Sequence, residues 1–112
     1  MLARANRVVK PSDFRAIVRR GRRSASVGTL IYRIERDPAD PARFGFIVAK
    51  TVGNAVERNL VRRRMRAVCR SIVDAGGTGS DVVVRALPGS AQHSWASLSA
   101  EMHAILDPAL IR

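Results

Sequence analysis

The chain has 112 residues, 46% of them hydrophobic, enough for one packed domain and too few for two. Its formal net charge is +11, and the excess is local: residues 1–70 hold 18 Lys and Arg against 5 Asp and Glu, while residues 71–112 hold 2 against 4. Such a basic block points to nucleic acid or an anionic membrane surface. No apolar run approaches the roughly 20 residues needed to span a bilayer, and the first residues lack an apolar core of signal-peptide length, so the reading is a cytoplasmic protein with no membrane partner.

In chain order, residues 1–10 read as an irregular basic segment carrying Arg4, Arg7 and Lys10. Pro11-Ser12-Asp13 is a helix start, with Ser12 as candidate N-cap and Asp13 suited to the positive first turn. This helix carries Phe14, Ile17 and Val18 on one side and ends at Arg19-Arg20-Gly21, with Gly21 as a C′ residue. Arg22 and Arg23 lead into a loop with Ser24, Ser26 and Gly28. Residues 29–35 alternate, Leu30, Tyr32 and Ile34 on one face, and predict a strand. A polar turn at 37–41 joins it to a second strand, 44–49, read as the other arm of a hairpin. There Phe44, Phe46 and Val48 point one way, and Gly45, Ile47 and Ala49 the other. The low-bulk face is either slack packing or the floor of a groove in which something extended lies close to the sheet.

After a Gly53-Asn54 turn, residues 56–73 predict one long helix. Val61, Met65, Val68 and Ile72 share a narrow arc, the buried face. Cys69, the sole cysteine, sits at the edge of that arc and reads as packing. Asn59, Arg62, Arg63, Arg66 and Arg70 occupy a second arc, with Arg58 at its margin. Arg58, Arg62, Arg66 and Arg70 stack at i, i+4 intervals, and each such like-charge pair costs an isolated helix about 0.2–0.5 kcal/mol. After Glu57 the helix has no acid until its end, so the face is either a solvated basic surface or one that lies along a polyanion. Guanidinium groups stay charged and grip phosphate oxygens bidentately, and Asn59 can donate and accept towards a sugar or base edge.

A Gly-rich loop, 74–80, precedes a short apolar strand, 81–85, and a final helix follows Ser94, with Trp95, Leu98, Met102, Ile105 and Leu106 on one face, ending before Pro108. The fold class is therefore α+β: a small two-layer α/β sandwich in the order α-β-β-α-β-α, over one domain spanning 1–112. Its mixed sheet contains one βαβ crossover, and helices cover one face. Protein-based catalysis finds no support. His93 and His103 have no ligand-spaced partners, no Cys/His cluster could hold zinc, and there is no P-loop.

The segment KTVGNAVERNLVRRRMR resembles the signature of the bacterial ribonuclease P protein family. Asp13-Phe14 with Arg20-Gly21 is similar to the same family's first helix, and Tyr32 matches an aromatic of its first strand. The resemblance covers nearly the whole chain and implies a protein cofactor of a ribozyme that removes 5′ leaders from precursor tRNAs. Catalytic groups and magnesium ions would belong to the RNA, with no metal bound directly by this chain and a 1:1 complex with the RNA subunit. It further implies a fold similar to a domain of some ribosomal proteins, with a left-handed crossover against the usual rule. Arg58, Asn59, Arg62, Arg63, Arg66 and Arg70 would contact the RNA subunit near its metal ions, flanked by Lys50 and Asn54. A single-stranded leader would lie in a groove between first helix and sheet, at Phe14, Val18, Tyr32, Ile47, Ala49 and Val84, where stacking tolerates any base. Departures from the family pattern are Val18 in place of an aromatic, Thr51 in place of a second lysine, and Leu60 in place of a basic residue. Arg64 restores charge but points elsewhere on the helix wheel. Phosphate neutralisation would favour precursor over mature tRNA and lower the magnesium requirement. The alternatives are a structural ribosomal or ribosome-associated RNA-binding protein and, less well fitted, a major-groove DNA reader.

Overall fold

The computed structural model describes residues 2–106. Its elements are α1 (Pro11–Arg20), β1 (Arg22–Ala25), β2 (Thr29–Glu35), β3 (Arg43–Ile47), α2 (Ala55–Asp74), β4 (Ser80–Ala86) and α3 (Trp95–Leu106). Single 3-10 turns occur at Arg4–Asn6, Lys50–Val52 and Ser90–Gln92.

The four strands are ordered β1-β2-β4-β3, with β1–β2 and β2–β4 antiparallel and β3–β4 parallel. The expected hairpin between 29–35 and 44–49 is thus replaced: β4 inserts between these two strands, and the true hairpin is β1–β2. β1 occupies a stretch whose sequence predicts a loop. That sequence, Arg-Arg-Ser-Ala, has no apolar alternation because it is an edge strand, largely exposed. β4 is the central strand, and all its residues but Arg85 are buried.

Residues paired across a sheet share a face, so the register sorts the side chains. Ile31, Val84 and Phe46 form one row, and Tyr32, Val83 and Gly45 form the next, on the opposite face. The first face packs on α2 and α3 in the larger core, which gathers Ile31, Phe44, Val82, Val84, Val61, Met65, Val68, Cys69, Ile72, Leu98, Met102 and Leu106. The second face carries α1, in addition to the helices that cover the first. Ile17, Tyr32, Val83 and Val8 form a smaller core there, bordered by Phe14, Val18, Leu30, Ile34 and Ile47.

α1 starts two residues earlier than a Ser12 cap would place it. Lys10 is the N-cap and Pro11 takes the first helical position, where its missing N–H is no loss, so Ser12 is not the cap. Gly21 is extended (φ −69°, ψ 148°), not left-handed. Glycine is needed there for space, because a Cβ would stand 2.5 Å from Ile17 O and 2.9 Å from Arg33 N. The N-terminal segment is also less irregular than its sequence: Leu2 and Val8 are buried, Arg7 bridges to Phe44, and Asn6 Nδ2 donates to Ala42 O at 2.8 Å.

α3 begins at a capping serine, with Ser94 Oγ accepting from Ser97 N at 3.0 Å. Its inner face is Leu98, Met102 and Leu106, with Ile105 partly buried; Trp95, expected among them, is 44% exposed. The position before Pro108 lies outside the described residues. Glu101 ties α3 to the β1–β2 turn, its carboxylate accepting from Gly28 N at 3.1 and 3.2 Å and from Thr29 Oγ1 at 3.3 Å.

Candidate nucleic-acid interface

α2 is a 20-residue helix whose start is fixed by a complete capping box. Asn54 Oδ1 accepts from Glu57 N at 2.9 Å, and Glu57 Oε1 accepts from Asn54 N at 3.0 Å. The other Glu57 oxygen accepts from Gln92 Nε2 at 3.0 Å, so the only acid near the start of α2 is occupied by structure. The expected inner arc is buried in full, and Cys69 with it; burial pushes its thiol well above the ordinary range, which suits packing rather than chemistry.

The outer arc stands in solvent. Asn59, Arg63, Arg66 and Arg70 are exposed, Arg58 and Arg62 half-buried. Asn59, Arg62, Arg63, Arg66 and Ala67 line a shallow open depression of about 620 Å³. Arg62 Nη1 donates to Asn59 Oδ1 at 3.2 Å, which aims both side chains along the same face. Arg70 pairs with Asp74 at 3.1 Å. Lys50 is exposed on the turn leading into the helix, next to the Asn54 cap. Arg64 belongs to another surface, as its wheel position indicates: its Nη1 donates to His93 O at 3.0 Å and fastens the segment before α3.

The six residues expected around a groove do not all meet. Phe14, Val18, Tyr32 and Ile47 lie on the α1 face of the sheet. Val84 faces the α2/α3 core and is fully buried, because the register puts Val83 beside Tyr32. Ala49 is exposed beyond the end of β3. Tyr32 is only 7% exposed, so the open part of this face is Phe14, Val18, Leu30 and Ile47. Sequence reading puts Leu30 on the Tyr32 face without assigning it to the groove, and misses Val83 and Arg85, whose placement follows from strand pairing alone. The low-bulk strand face has a specific reason at Gly45: the Phe14 ring occupies the space a side chain would need.

A cluster of charges anchors the floor beneath α1. Asp81 receives Arg43 in a two-pronged contact (Nε to Oδ1 2.9 Å, Nη2 to Oδ2 2.7 Å) and Arg36 Nη1 at 3.1 Å. Arg43 also reaches Asp13 of α1 at 3.6 Å. Burial alone would raise the Asp81 carboxyl; the hydrogen bonds and charge of Arg43, then Arg36, outweigh it and hold it below the usual carboxylate range. The bond to Asp81 likewise raises Arg43. These two arginines, Arg36 and Arg43, serve the fold, unlike the exposed arginines of the α2 outer arc.

Among the described residues no group of three or more His, Cys, Asp or Glu could hold a metal ion, and no helix is long and apolar enough to cross a membrane. Fold and site together define a small α+β RNA-binding protein that presents one rigid, capped arginine helix. The chain belongs to the ribonuclease P protein family, whose family model, Ribonuclease P, matches residues 2–110. It is 50% identical over 103 residues to the ribonuclease P protein component of Clavibacter michiganensis, covering 91% of this chain and 90% of that one. To that of an Arthrobacter strain it is 43% identical over 112 residues, 100% of this chain and 82% of the relative. The structure of the Staphylococcus aureus RNase P protein superposes with a TM-score of 0.82 at 25% identity, covering 95% of this chain and 96% of that one. That of Thermotoga maritima gives 0.78 at 20% identity, covering 90% and 94%, a likeness of fold.

Proposed function

We propose that this chain is the protein subunit of ribonuclease P and works by holding RNA, while the RNA subunit carries the catalytic groups. The observation that carries this is the outer arc of α2: Asn59, Arg63 and Arg66 exposed on a helix locked by its capping box, within the segment that resembles the family signature. In this reading Arg58, Asn59, Arg62, Arg63, Arg66 and Arg70 lie along the phosphates of the RNA subunit, one protein to one RNA. Lys50 adds charge at the turn, and Asn54 acts chiefly by capping. The 5′ leader of precursor tRNA lies over the open α1 face of the sheet, against Phe14, Val18, Leu30 and Ile47, with Tyr32 beneath. Endonucleolytic cleavage then releases the leader and leaves the mature 5′ end.

Magnesium, which supplies the nucleophile and charge stabilisation in such cleavage, is assigned to the RNA. The donor set here does not suit it: the arginine face offers only the Asn59 amide oxygen, and Asp81 is taken by two guanidinium groups. The expected setting is the cytoplasm, where tRNA precursors are made. The ribosomal alternative is not favoured, since family and structural relatives alike are ribonuclease P proteins.

The test is cleavage of a 5′-extended precursor tRNA by a bacterial ribonuclease P RNA at low magnesium, with and without the chain. Cleavage at the mature 5′ end only when protein is present supports the reading. Tight RNA binding without stimulation returns the ribosomal alternative, and absence of RNA binding removes the role given to α2.

A further inference from the structure

We propose that Arg85 is a phosphate clamp in the floor of the α1 groove, gripping one backbone phosphate of the single-stranded RNA that lies there; this rests on the leader reading above. β4 is the central strand, and every residue on it except Arg85 is buried. The register sets Arg85 directly opposite Leu30 on β2 and Ile47 on β3. Both neighbours are half-buried members of the α1-face cluster, and Val83, two residues back on the same face, is fully buried. The guanidinium therefore rises from an apolar floor with apolar side chains on three sides. It has no hydrogen bond or ion pair among the described residues. Arg36, Arg43 and Arg64, by contrast, are all engaged with protein carboxylates or a carbonyl.

An unpaired cation among apolar side chains at the end of a sheet face gives the fold no contact that an apolar residue would not. It does suit an occupant that is apolar in one part and anionic in another. A single RNA strand is such an occupant: its bases cover apolar and aromatic side chains, and its backbone carries one negative charge per nucleotide. The step along β4 from the Tyr32–Val83–Gly45 row to Arg85 is two residues, about 7 Å. A base lodged against Phe14, which lies over Gly45, would thus bring an adjoining phosphate within reach of the guanidinium fork. The contact reads charge and not base identity, so it leaves leader sequence free.

The experiment uses the holoenzyme reconstituted with a bacterial ribonuclease P RNA. Affinity is measured for precursor tRNA with a leader and for the same tRNA without one, alongside the thermal midpoint of each variant. Arg85→Gln is expected to lower leader-dependent affinity about tenfold, to leave leaderless tRNA unchanged, and to reduce the salt slope by about 0.7. Arg85→Lys should restore part of the loss. A leader in which single phosphates are made neutral as methylphosphonates should lose affinity for wild type at one position and not for Arg85→Gln at that same position. Equal losses with and without a leader, or no position coupled to Arg85, would overturn the proposal. Val18→Glu serves as the groove control, putting a carboxylate where the leader would run. If it weakens leader binding while Arg85→Gln does not, the clamp fails and the groove stands. If neither changes leader preference, both fall.

Discussion

The ring of Phe14 on α1 lies against the backbone of Gly45 on β3: a Cβ at Gly45 would stand 2.5 Å from Phe14 Cε1 and 2.6 Å from Cζ. The position demands glycine for space, not for an unusual backbone angle, since Gly45 is not among the positive-φ glycines. Gly45→Ala is expected to displace the ring and destabilise the fold by about 1–3 kcal/mol. If Phe14 is a platform for the leader, the same change should reduce preference for leader-bearing precursor and leave affinity for the RNA subunit intact. Urea denaturation and paired binding assays check the two effects separately.

Asp81 gives the protein an acid limit. Its folded carboxyl is held below the ordinary range, so its contribution is complete above the unfolded value of about 3.9. That contribution is lost as pH falls through this value towards the lower folded one. Stability should therefore decline from about pH 5 downwards. Asp81→Asn should flatten that limb while lowering stability at pH 7 by about 2 kcal/mol, because Arg43 and Arg36 lose the shared negative charge and one of its two acceptor oxygens becomes an NH2 donor. Urea midpoints at pH 7, 5 and 3 for both proteins decide it; parallel acid limbs would remove Asp81 from the account.

Asn54 can be separated into cap and contact. Asn54→Ala is expected to lose about 1 kcal/mol of stability, a fall of about 4–8 °C in Tm for a chain of this size. Asn54→Ser keeps an oxygen for the Glu57 N–H and should restore most of the Tm. If RNA affinity recovers with Tm, the residue acts through the helix start. Recovery of Tm without recovery of affinity would assign it a direct contact.

The two arginine surfaces of α2 should behave differently. Arg63→Ala with Arg66→Ala is expected to reduce the slope of log affinity for the RNA subunit against log salt by about 0.7–0.9 for each phosphate left without its arginine, with little change in Tm. Arg64→Ala removes one charge and also the hydrogen bond to His93 O. It should lower Tm and leave the slope close to wild type. An Arg64→Ala slope change half that of the double variant, equal per charge removed, would mean that the helix binds by net charge and not by a face.

Cys69 should resist thiol reagents in the folded protein, since it is buried and its thiol is pushed up by that burial. Its labelling rate should rise with urea along the unfolding transition. Fast labelling in native buffer would contradict the packing of α2.

What the sequence disclosed follows from which signals are local. The helix period of α2 marks its buried arc and its arginine face directly, because each is set by residues three and four apart on one element. The faces of β2 and β3 are legible for the same reason at period two. Strand partners are a different matter. Neighbours in sequence usually pair, which favours a hairpin of 29–35 with 44–49; the uniformly apolar Val82-Val83-Val84 run belongs to the strand that inserts between them. A run of three valines carries no alternation, so the sequence does not say which of Val83 and Val84 faces the groove, and an offset of one residue moves a side chain to the other face. Arg85 ends that run, and its neighbours across the sheet come from segments 55 and 38 residues away, which no local pattern reports.

The strand order also governs when the protein can form. β2 and β3 do not pair with each other; each takes its inner partner from β4, which ends at Ala86. On the ribosome, a nascent chain that has emerged only as far as α2 has a β1–β2 hairpin and a separate β3, with apolar faces and open edges on both. Such edges invite pairing with other chains. The basic two-thirds of the molecule must therefore wait for the nearly neutral last third before it can fold. A chain whose emergence stops between Asp74 and Ala86 is held with those edges open and with the arginines of α2 already in solvent.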